Sequence, residues 1–251
     1  MNGSLTGRTA LVTGSTLGIG VGIALELARA GAFVVISGRD KQRGLDMVAS
    51  VREQGADAAF VRADLGDGQA AIRALADEAI EVAGGHIDVL VNNAAMLLDP
   101  APTAAVTEER ITAALAVNVV APFLLTGILA PRMATRGWGA IVNVGSINGL
   151  VGMARSALYS TTKAALHSLT MSWAAEFAAQ GVRVNTVAPG PTVTDRNLER
   201  EELLAPLLAQ IPSGQMTTPA EVGAAVIFLA SDAAANIHGA TLTVDGGFTI
   251  V

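Results

Sequence analysis

The sequence predicts a doubly wound α/β fold: a parallel sheet of about seven strands with helices on both faces. Short β-rich runs alternate with helical patterns along the whole chain. Runs such as AIVNV and VRVNTV are continuously apolar, which is typical of strands covered on both faces. With 51% hydrophobic and 15% charged residues, the 251-residue chain can build one large core. We therefore expect a single domain over 1–251.

The elements follow one another as strand, turn and helix. Strands are predicted at 8–13, 33–37, 58–62, 87–91, 139–144, 182–187 and 242–244. Helices are predicted at 18–29, 41–54, 68–82, 108–135, 157–180 and 219–229. Asp40 and Asp67 are expected to cap the helices that follow them, and Thr218 with Glu221 forms a capping-box pattern.

Composition argues against several classes of protein. The net charge of −6, without a Lys/Arg cluster, does not suit binding to nucleic acid. The chain has no cysteine, and its histidines His86, His167 and His238 are scattered, so no metal is predicted. Residues 1–8 are polar and lack the features of a signal peptide, so a cytoplasmic location is expected.

Two segments stand out by composition. Residues 111–131 carry no charge and are about as long as a membrane-spanning helix of ~20 residues. Because Asn118, Pro122 and two threonines interrupt this run, we interpret it as a helix buried between the sheet and a partner subunit, with a membrane span as the alternative. The irregular stretch 189–216 includes an amphipathic charged part, and we interpret 191–216 as a substrate lid.

The first predicted turn reads TGSTLGIG, with Gly14, Gly18 and Gly20 placed between a strand and a helix. Glycines in this position let the backbone approach a pyrophosphate over the helix N-terminus, as in Rossmann-type dinucleotide sites. Where such sites usually place a ribose-binding carboxylate after the second strand, this chain has Arg39. A guanidinium suits a 2′-phosphate, which favours NADP(H) over NAD(H). The alternatives are a solvated Arg39 and an Asp40 that either caps the helix or reaches the ribose.

Tyr159 and Lys163 lie four residues apart on a predicted helix and therefore share a face. A phenol ionises near pH ~10, and a nearby ammonium is expected to lower that pKa enough for acid/base work. Ser146 follows the fifth strand, where its hydroxyl could donate to a carbonyl oxygen. Asn118 lies within the apolar helix and needs hydrogen-bond partners. Taken singly, each residue has another explanation: Tyr159 could be a half-buried aromatic residue, Lys163 a solvated helix charge and Ser146 a turn residue. His167, one turn beyond Lys163, is interpreted as structural.

Together the motifs resemble those of the short-chain dehydrogenases/reductases, in order from about residue 5 to 248. They are TGSTLGIG at 13–20, NNAA at 92–95, Asn118, Ser146, YSTTK at 159–163, PG at 189–190 and a C-terminal VDGG. The resemblance implies that Tyr159 is the acid/base, that Lys163 tunes it and holds the nicotinamide ribose, that Ser146 orients the carbonyl and that Asn118 serves a water relay.

The resemblance also implies a set of cofactor contacts. Asp64 and Leu65 would contact the adenine, Asn92 the adenosine side, and the backbone after Pro189 and Gly190, with Thr194, the carboxamide. The full predicted cofactor set is Gly14, Thr16, Leu17, Gly18, Ile19, Gly20, Arg39, Asp64, Leu65, Asn92, Tyr159, Lys163, Pro189, Gly190, Thr192 and Thr194. The chain departs from the family pattern at Ala95 and Thr192. Leu17 replaces a basic residue found in many NADP-preferring members, which leaves Arg39 as the only nearby cation that supports a preference for NADP.

The predicted function is hydride transfer between NADP(H) and an alcohol or ketone, and the alternative is a catalytically silent cofactor-binding scaffold or redox sensor. The expected substrate pocket is mostly apolar and is formed by Met96, Leu97, Leu98, Asn148, Met153 and the lid at 191–216. No cation cluster is evident near the lid. Family members commonly form tetramers through their two long helices, so the resemblance implies a homotetramer with a small-molecule substrate.

Overall fold

The computed structural model describes residues 3–250, except for the side chains of Glu201 and Leu203. Over those residues seven strands form one sheet in the order β3-β2-β1-β4-β5-β6-β7, and every neighbouring pair is parallel. The strands are β1 (Thr9–Thr13), β2 (Phe33–Gly38), β3 (Ala58–Arg62), β4 (Val89–Asn92), β5 (Gly139–Val144), β6 (Val182–Pro189) and β7 (Thr241–Val244). The predicted fold class is confirmed.

The helices follow the predicted alternation with small shifts at their ends. They are α1 (Ile19–Arg29), α2 (Lys41–Glu53), α3 (Gln69–Val82), α4 (Glu108–Leu115), α5 (Ala121–Arg136), α6 (Ala157–Phe177), α7 (Asp195–Leu198), α8 (Glu201–Leu208) and α9 (Pro219–Ala230). Asp40 caps α2 by accepting a hydrogen bond from the Arg43 amide, and Thr218 and Glu221 form the capping box of α9. The cap predicted for Asp67 is wrong, because that residue lies in a 3-10 turn and Gly68 precedes α3.

Successive residues of each strand contribute to two separate cores. Val12 and Val34 pack with α1, α2 and α9 on one face, whereas Leu11 and Val35 pack with α3, α5 and α6 on the other. This division follows from the two-residue period of a strand, which points neighbouring side chains to opposite faces. Each fully buried Val or Leu contributes about 1.5–3 kcal/mol, so apolar residues are favoured on both faces.

The long apolar helix predicted at 108–135 is interrupted. Between α4 and α5 the backbone forms a π-helical segment at Ala116–Val120, which includes Asn118. By length and composition alone, Glu108–Arg136 could cross a membrane. Leu125 and Leu129 of α5 are nevertheless fully buried against the sheet core, as in a core helix.

Arg183 of β6 is buried and its guanidinium holds the end of α9. It donates hydrogen bonds to the carbonyl oxygens of Leu229, Ala230, Ser231 and Ala234. The last carbonyls of a helix lack partners within the helix, and a cation also complements the helix dipole there. One side chain therefore joins strand β6 to the C-terminal end of α9.

Replacing Arg183 by methionine should lower the free energy of unfolding by about 2–4 kcal/mol, because several buried carbonyl groups lose their donor. Equilibrium urea unfolding measures the change. The free energy of unfolding of Arg183→Lys should lie between those of the unmodified protein and of Arg183→Met, because an ammonium cannot reproduce the planar fork of a guanidinium. A methionine variant as stable as the unmodified protein would show that the carbonyls find other partners.

Candidate active site

The carboxyl ends of β1, β4, β5 and β6 lie at one edge of the sheet, and the predicted reactive residues follow these ends. The strand order reverses between β1 and β4, since the chain proceeds outward through β2 and β3 on one side and through β5 to β7 on the other. Such a reversal separates the loops on either side and leaves a crevice where ligands of open α/β sheets bind.

The glycine turn after β1 is closely packed. A Cβ atom on Gly14 would lie 2.8 Å from the Ala94 Cα, and one on Gly20 would lie 2.2 Å from the Gly14 carbonyl oxygen. Within the described residues no side chain caps α1, whose N-cap is Gly18. Thr16, Leu17 and Ile19 lie in the same turn or at the start of α1. The turn therefore presents a helix N-terminus without a side-chain cap, as an approaching pyrophosphate requires.

Asn93 holds this turn in place, a role that the motif alone did not reveal. Its amide donates to the carbonyl oxygens of Thr13 at 2.9 Å and Gly14 at 3.0 Å. Its neighbour Asn92 differs from expectation, because its side chain is buried and donates to Asn143 Oδ1 at 2.9 Å. Asn92 is the last residue of β4 and Asn93 follows it directly, so their side chains point in opposite directions: Asn93 faces the turn and Asn92 faces the interior.

Arg39 follows β2 and its side chain is exposed, with NH1 3.7 Å from Asp64 Oδ2. Asp40 accepts from the Arg43 amide at 3.1 Å, so of its two alternatives the structure supports the helix cap. Arg62 at the end of β3 donates to the Arg39 carbonyl oxygen at 2.9 Å. The expectation that Arg39 is the lone nearby cation is thus wrong, because strand pairing brings Arg62 beside it.

The other predicted cofactor residues lie along the same edge. Asp64 accepts from the Gly66 amide at 2.9 Å, whereas the Leu65 side chain is buried in the core. Pro189 ends β6 and Gly190 follows it. Thr192 is buried and donates to the Gly190 carbonyl oxygen, and Thr194 caps α7 by accepting from the Asn197 amide. The Leu65 side chain therefore does not face the crevice, and any contact there would use its backbone.

Ser146 and Lys163 meet at the end of β5. Ser146 is buried to 9% exposure and its hydroxyl oxygen accepts from the Asn148 amide at 3.2 Å. Lys163 is also buried, and its ammonium donates to the Val144 carbonyl oxygen at 2.7 Å. Burial lowers the pKa of Lys163 to about 8, because removal from water disfavours the charged form.

Tyr159 lies one turn before Lys163, whose Nζ is 5.7 Å from the centre of the phenol ring. Burial raises the pKa of Tyr159 to about 12, and a hydrogen bond with Ser146 and the positive charge of Arg196 lower it in part. The expected lowering of this pKa by Lys163 is therefore wrong in this structure: loss of solvation outweighs the nearby charges. Tyr159 keeps its proton throughout the physiological range.

Asn118 has the partners that its burial demands. In the π-helical segment its Oδ1 accepts from the Met96 amide at 2.6 Å. Its Nδ2 donates to the Met96 carbonyl oxygen and to the Thr162 hydroxyl, each at 3.2 Å. The side chain thus joins α6 to the loop after β4. Single π turns within α-helices are frequent at functional sites because they re-aim one side chain.

A small cleft beside Tyr159 is bordered by charged residues from separate segments. Leu98 of the predicted pocket lines it together with Asp99, Arg110 and Arg155. Arg110 donates to the Asp99 carbonyl oxygen, and two arginines of the predicted lid bind the Asp99 carboxylate. The absence of a cation cluster near the lid, inferred from sequence, is therefore wrong.

The segment after β6 contains α7 and α8 and is fastened to the other side of the cleft. Asp99 Oδ1 accepts from Arg196 at 2.7 Å and from Arg200 at 2.5 Å. These hydrogen bonds hold the pKa of the Asp99 carboxyl below its usual value. One carboxylate thus joins the loop after β4 to two positions in the predicted lid.

Comparisons with known proteins identify the family to which the chain is related. A family model described as enoyl-(acyl carrier protein) reductase matches residues 14–249. The chain is 41% identical to cis-4-hydroxycyclohexanecarboxylate dehydrogenase of Sinomonas cyclohexanicum, over 97% of each chain. It is also 41% identical to galactitol 2-dehydrogenase (L-tagatose-forming) of Cereibacter sphaeroides, covering 98% of this chain and 96% of that protein.

A solved structure extends the likeness to the three-dimensional fold. The gluconate 5-dehydrogenase of Burkholderia cenocepacia, in complex with NADP and tartrate, superposes with a TM-score of 0.91 at 35% identity, covering 98% of this chain and 97% of that one. The match in sequence, fold and length extends over nearly the whole chain. The chain therefore belongs to the short-chain dehydrogenase/reductase family and is an NAD(P)-dependent oxidoreductase that interconverts alcohols and ketones.

Proposed function

We propose that Tyr159 is the acid/base of this reaction, that Ser146 orients the substrate oxygen and that Lys163 and Asn118 support them. The observation that carries the proposal is the convergence of Ser146, Tyr159 and Lys163 where β5 ends against α6. The silent-scaffold alternative is not favoured, because the named relatives are dehydrogenases and this chain retains all three groups.

Each residue has a definite task in reduction of a ketone. A bound nicotinamide would supply the hydride. The Ser146 hydroxyl donates a hydrogen bond to the carbonyl oxygen and stabilises the negative charge that develops there. Tyr159, which holds its proton because of burial, donates it to that oxygen. Lys163 would also hold the nicotinamide ribose, and Asn118 would position water that returns a proton to the site.

Tyr159→Phe should lower kcat by roughly 10²–10⁴-fold, the usual contribution of a positioned acid or base, and leave the Kd for NADPH unchanged. In the unmodified protein, alcohol oxidation should accelerate with rising pH, because it needs the deprotonated form of a phenol whose pKa is about 12. Initial rates measured from pH 6 to 10 give the change in kcat and the pH dependence of alcohol oxidation. A phenylalanine variant with unchanged kcat would exclude Tyr159 as the acid/base.

NADP(H) is the proposed cofactor. Arg39 is exposed at the end of β2, and Arg62 lies beside its backbone, so two guanidinium groups are available for a 2′-phosphate. Asp40 is engaged as a helix cap, which removes one candidate carboxylate for the ribose of NAD. The solved relative with bound NADP supports the same preference. The glycine turn would hold the pyrophosphate, and backbone near Gly190 with Thr194 the carboxamide.

Arg39→Ala should raise the Kd for NADPH roughly tenfold to a hundredfold, the value of a charge-assisted hydrogen bond, and leave that for NADH unchanged. Fluorescence titration with each nucleotide measures the constants. Arg73→Ala, which removes an exposed arginine of α3, is the matched control. Tighter binding of NADH than NADPH by the unmodified protein would contradict the cofactor preference.

The proposed substrate is a hydroxylated carboxylate or its ketone, held under a lid at 191–216. Arg110 and Arg155 line the cleft with Tyr159, and Arg196 lies close enough to affect the phenol. Two relatives, the dehydrogenases named for hydroxycyclohexanecarboxylate and gluconate, support this class. Asp99 would hold Arg196 and Arg200, and with them the lid, over the cleft.

We expect kcat/KM for 4-hydroxycyclohexanecarboxylate to exceed that for its methyl ester, which keeps the ring and loses the charge. Arg196→Gln should reduce the value for the acid about tenfold or more, with little effect on the ester. Arg132→Gln on the outer surface of α5 serves as control. Equal losses on acid and ester would show that Arg196 does not recognise the carboxylate.

The proposed assembly is a homotetramer formed through α4, α5 and α6. Val120 and Phe123, from the π-helical segment and α5, and Met171 of α6 are large apolar side chains with 47–59% of their surface exposed. Phe123 packs edge-on against Trp173 of α6, so α5 and α6 are in contact beside these exposed apolar side chains. The cytoplasmic location stays a prediction.

Light scattering of the purified protein should give four times the mass of the chain. Phe123→Glu combined with Met171→Glu should yield a smaller species, because charges at a buried contact are not solvated. A monomeric mass for the unmodified protein would refute the assembly.

A further inference from the structure

His167 lies one turn beyond Lys163 on α6 and has no task in the reaction described above. Its side chain is 7% exposed. Burial, and to a smaller extent the charge of Lys163, lowers its pKa to about 4, so the ring is neutral and one of its nitrogens is an acceptor. Nε2 accepts a hydrogen bond from the Ser146 amide at 3.4 Å. His167 therefore touches the backbone of the residue that orients the substrate.

The surroundings of the ring are shaped to admit it. A Cβ atom on Gly145 would lie 2.1 Å from His167 Nε2, and one on Gly149 would lie 2.8 Å from Cε1. Real side chains do not approach so closely, so both glycines are needed for the ring to reach this loop. Ser146 lies between them in the chain. The imidazole thus fills the space beneath the Ser146 turn.

The end of β5 is held at three successive residues. The Val144 carbonyl oxygen accepts from Lys163, the Gly145 amide donates to the Val187 carbonyl oxygen at 2.8 Å, and the Ser146 amide donates to His167. Two of these contacts come from side chains four residues apart on α6. Because Lys163 and His167 share one face of the helix, α6 holds the chain on both sides of Gly145.

The surroundings of the other ring nitrogen, Nδ1, indicate why position 167 is occupied by histidine and not by an apolar residue. Nδ1 is buried and has no hydrogen-bond partner among the described residues. A neutral ring whose Nε2 accepts must carry its proton on Nδ1, and a buried donor without a partner is unfavourable. An apolar residue would avoid that cost. The contact of Nε2 with Ser146 is thus the feature that distinguishes histidine from leucine at this position.

We propose that His167 is a positioning residue for Ser146: its neutral ring fixes the Ser146 backbone and thereby the direction of the hydroxyl. The inference rests on the proposed role of Ser146. Errors of about 1 Å in the placement of a reacting group can cost on the order of 10²-fold in rate, so a contact with the backbone of Ser146 is able to affect turnover.

A double-mutant cycle tests this role. His167→Leu fills a similar space without an acceptor, and should lower kcat on the order of tenfold to a hundredfold while leaving the Kd for NADPH unchanged. His167→Gln, whose amide reaches about as far as Nε2, should restore most of kcat. His167→Asn, whose amide is too short, should resemble the leucine variant and replaces it if that variant does not fold.

The cycle is completed with Ser146→Ala. If His167 acts through Ser146, then adding His167→Leu to Ser146→Ala lowers kcat no further. Additive losses, equal rates for the glutamine and leucine variants, or an unchanged kcat in His167→Leu would each overturn the proposal. A Ser146→Ala variant with unchanged kcat would refute the role of Ser146 itself, which is a distinguishable failure of the proposed function.

Thr170→Val provides the matched control for stability. Thr170 lies one turn further along α6, is fully buried and hydrogen bonds with Asn143, Leu166 and Thr186. Its replacement should lower the thermal midpoint, because these buried hydrogen bonds are lost, with kcat retained. A comparable loss of kcat in Thr170→Val would show that the effect of His167→Leu reflects general loosening of α6, and would overturn the positioning role.

Discussion

The parallel alignment of neighbouring strands is the constraint on which the site depends. A parallel connection must return over a face of the sheet, so the helices cover both faces and the strands are apolar on both. The carboxyl ends then gather at a single edge. The glycine turn after β1, Asn93 after β4 and Ser146 after β5 lie at this edge for that reason, although they are far apart in the chain.

Helix α6 carries two of the proposed reactive groups and also holds them in place. Tyr159 and Lys163 lie on its first turns, and Lys163 reaches back to the carbonyl of Val144. Burial makes the phenol a weaker acid and the ammonium a stronger one, since both charged forms lose solvation. The protonation states at neutral pH are therefore set by the depth of the site as well as by charge pairing.

Asn118 illustrates a local departure from regular structure at a proposed functional position. The π-helical segment places its amide between the loop after β4 and Thr162 of α6. The same long helical stretch turns an apolar surface outward at Val120 and Phe123. One stretch of chain thus serves two demands, a satisfied polar group inside and a hydrophobic face outside, and its sequence is apolar almost throughout.

The sequence by itself determined the fold class, the order of the elements and the family. Periodicity, glycine placement and motif spacing are local properties, and they are visible in one dimension. It also singled out Ser146, Tyr159 and Lys163, because their spacing along one helix and their position after a strand match the motifs of the family. It could not determine the direction of the Tyr159 pKa shift, which depends on how much of the surrounding protein excludes water.

Only the tertiary structure decided the contacts made between distant segments. Strand register places Arg62 beside Arg39, and loop packing brings Arg110, Arg155 and Arg196 towards Tyr159 from separate parts of the chain. Side-chain packing also directs Asn92 into the interior and places the His167 ring against the Ser146 backbone. Each of these depends on a through-space distance, and residue spacing along a sequence does not contain that distance.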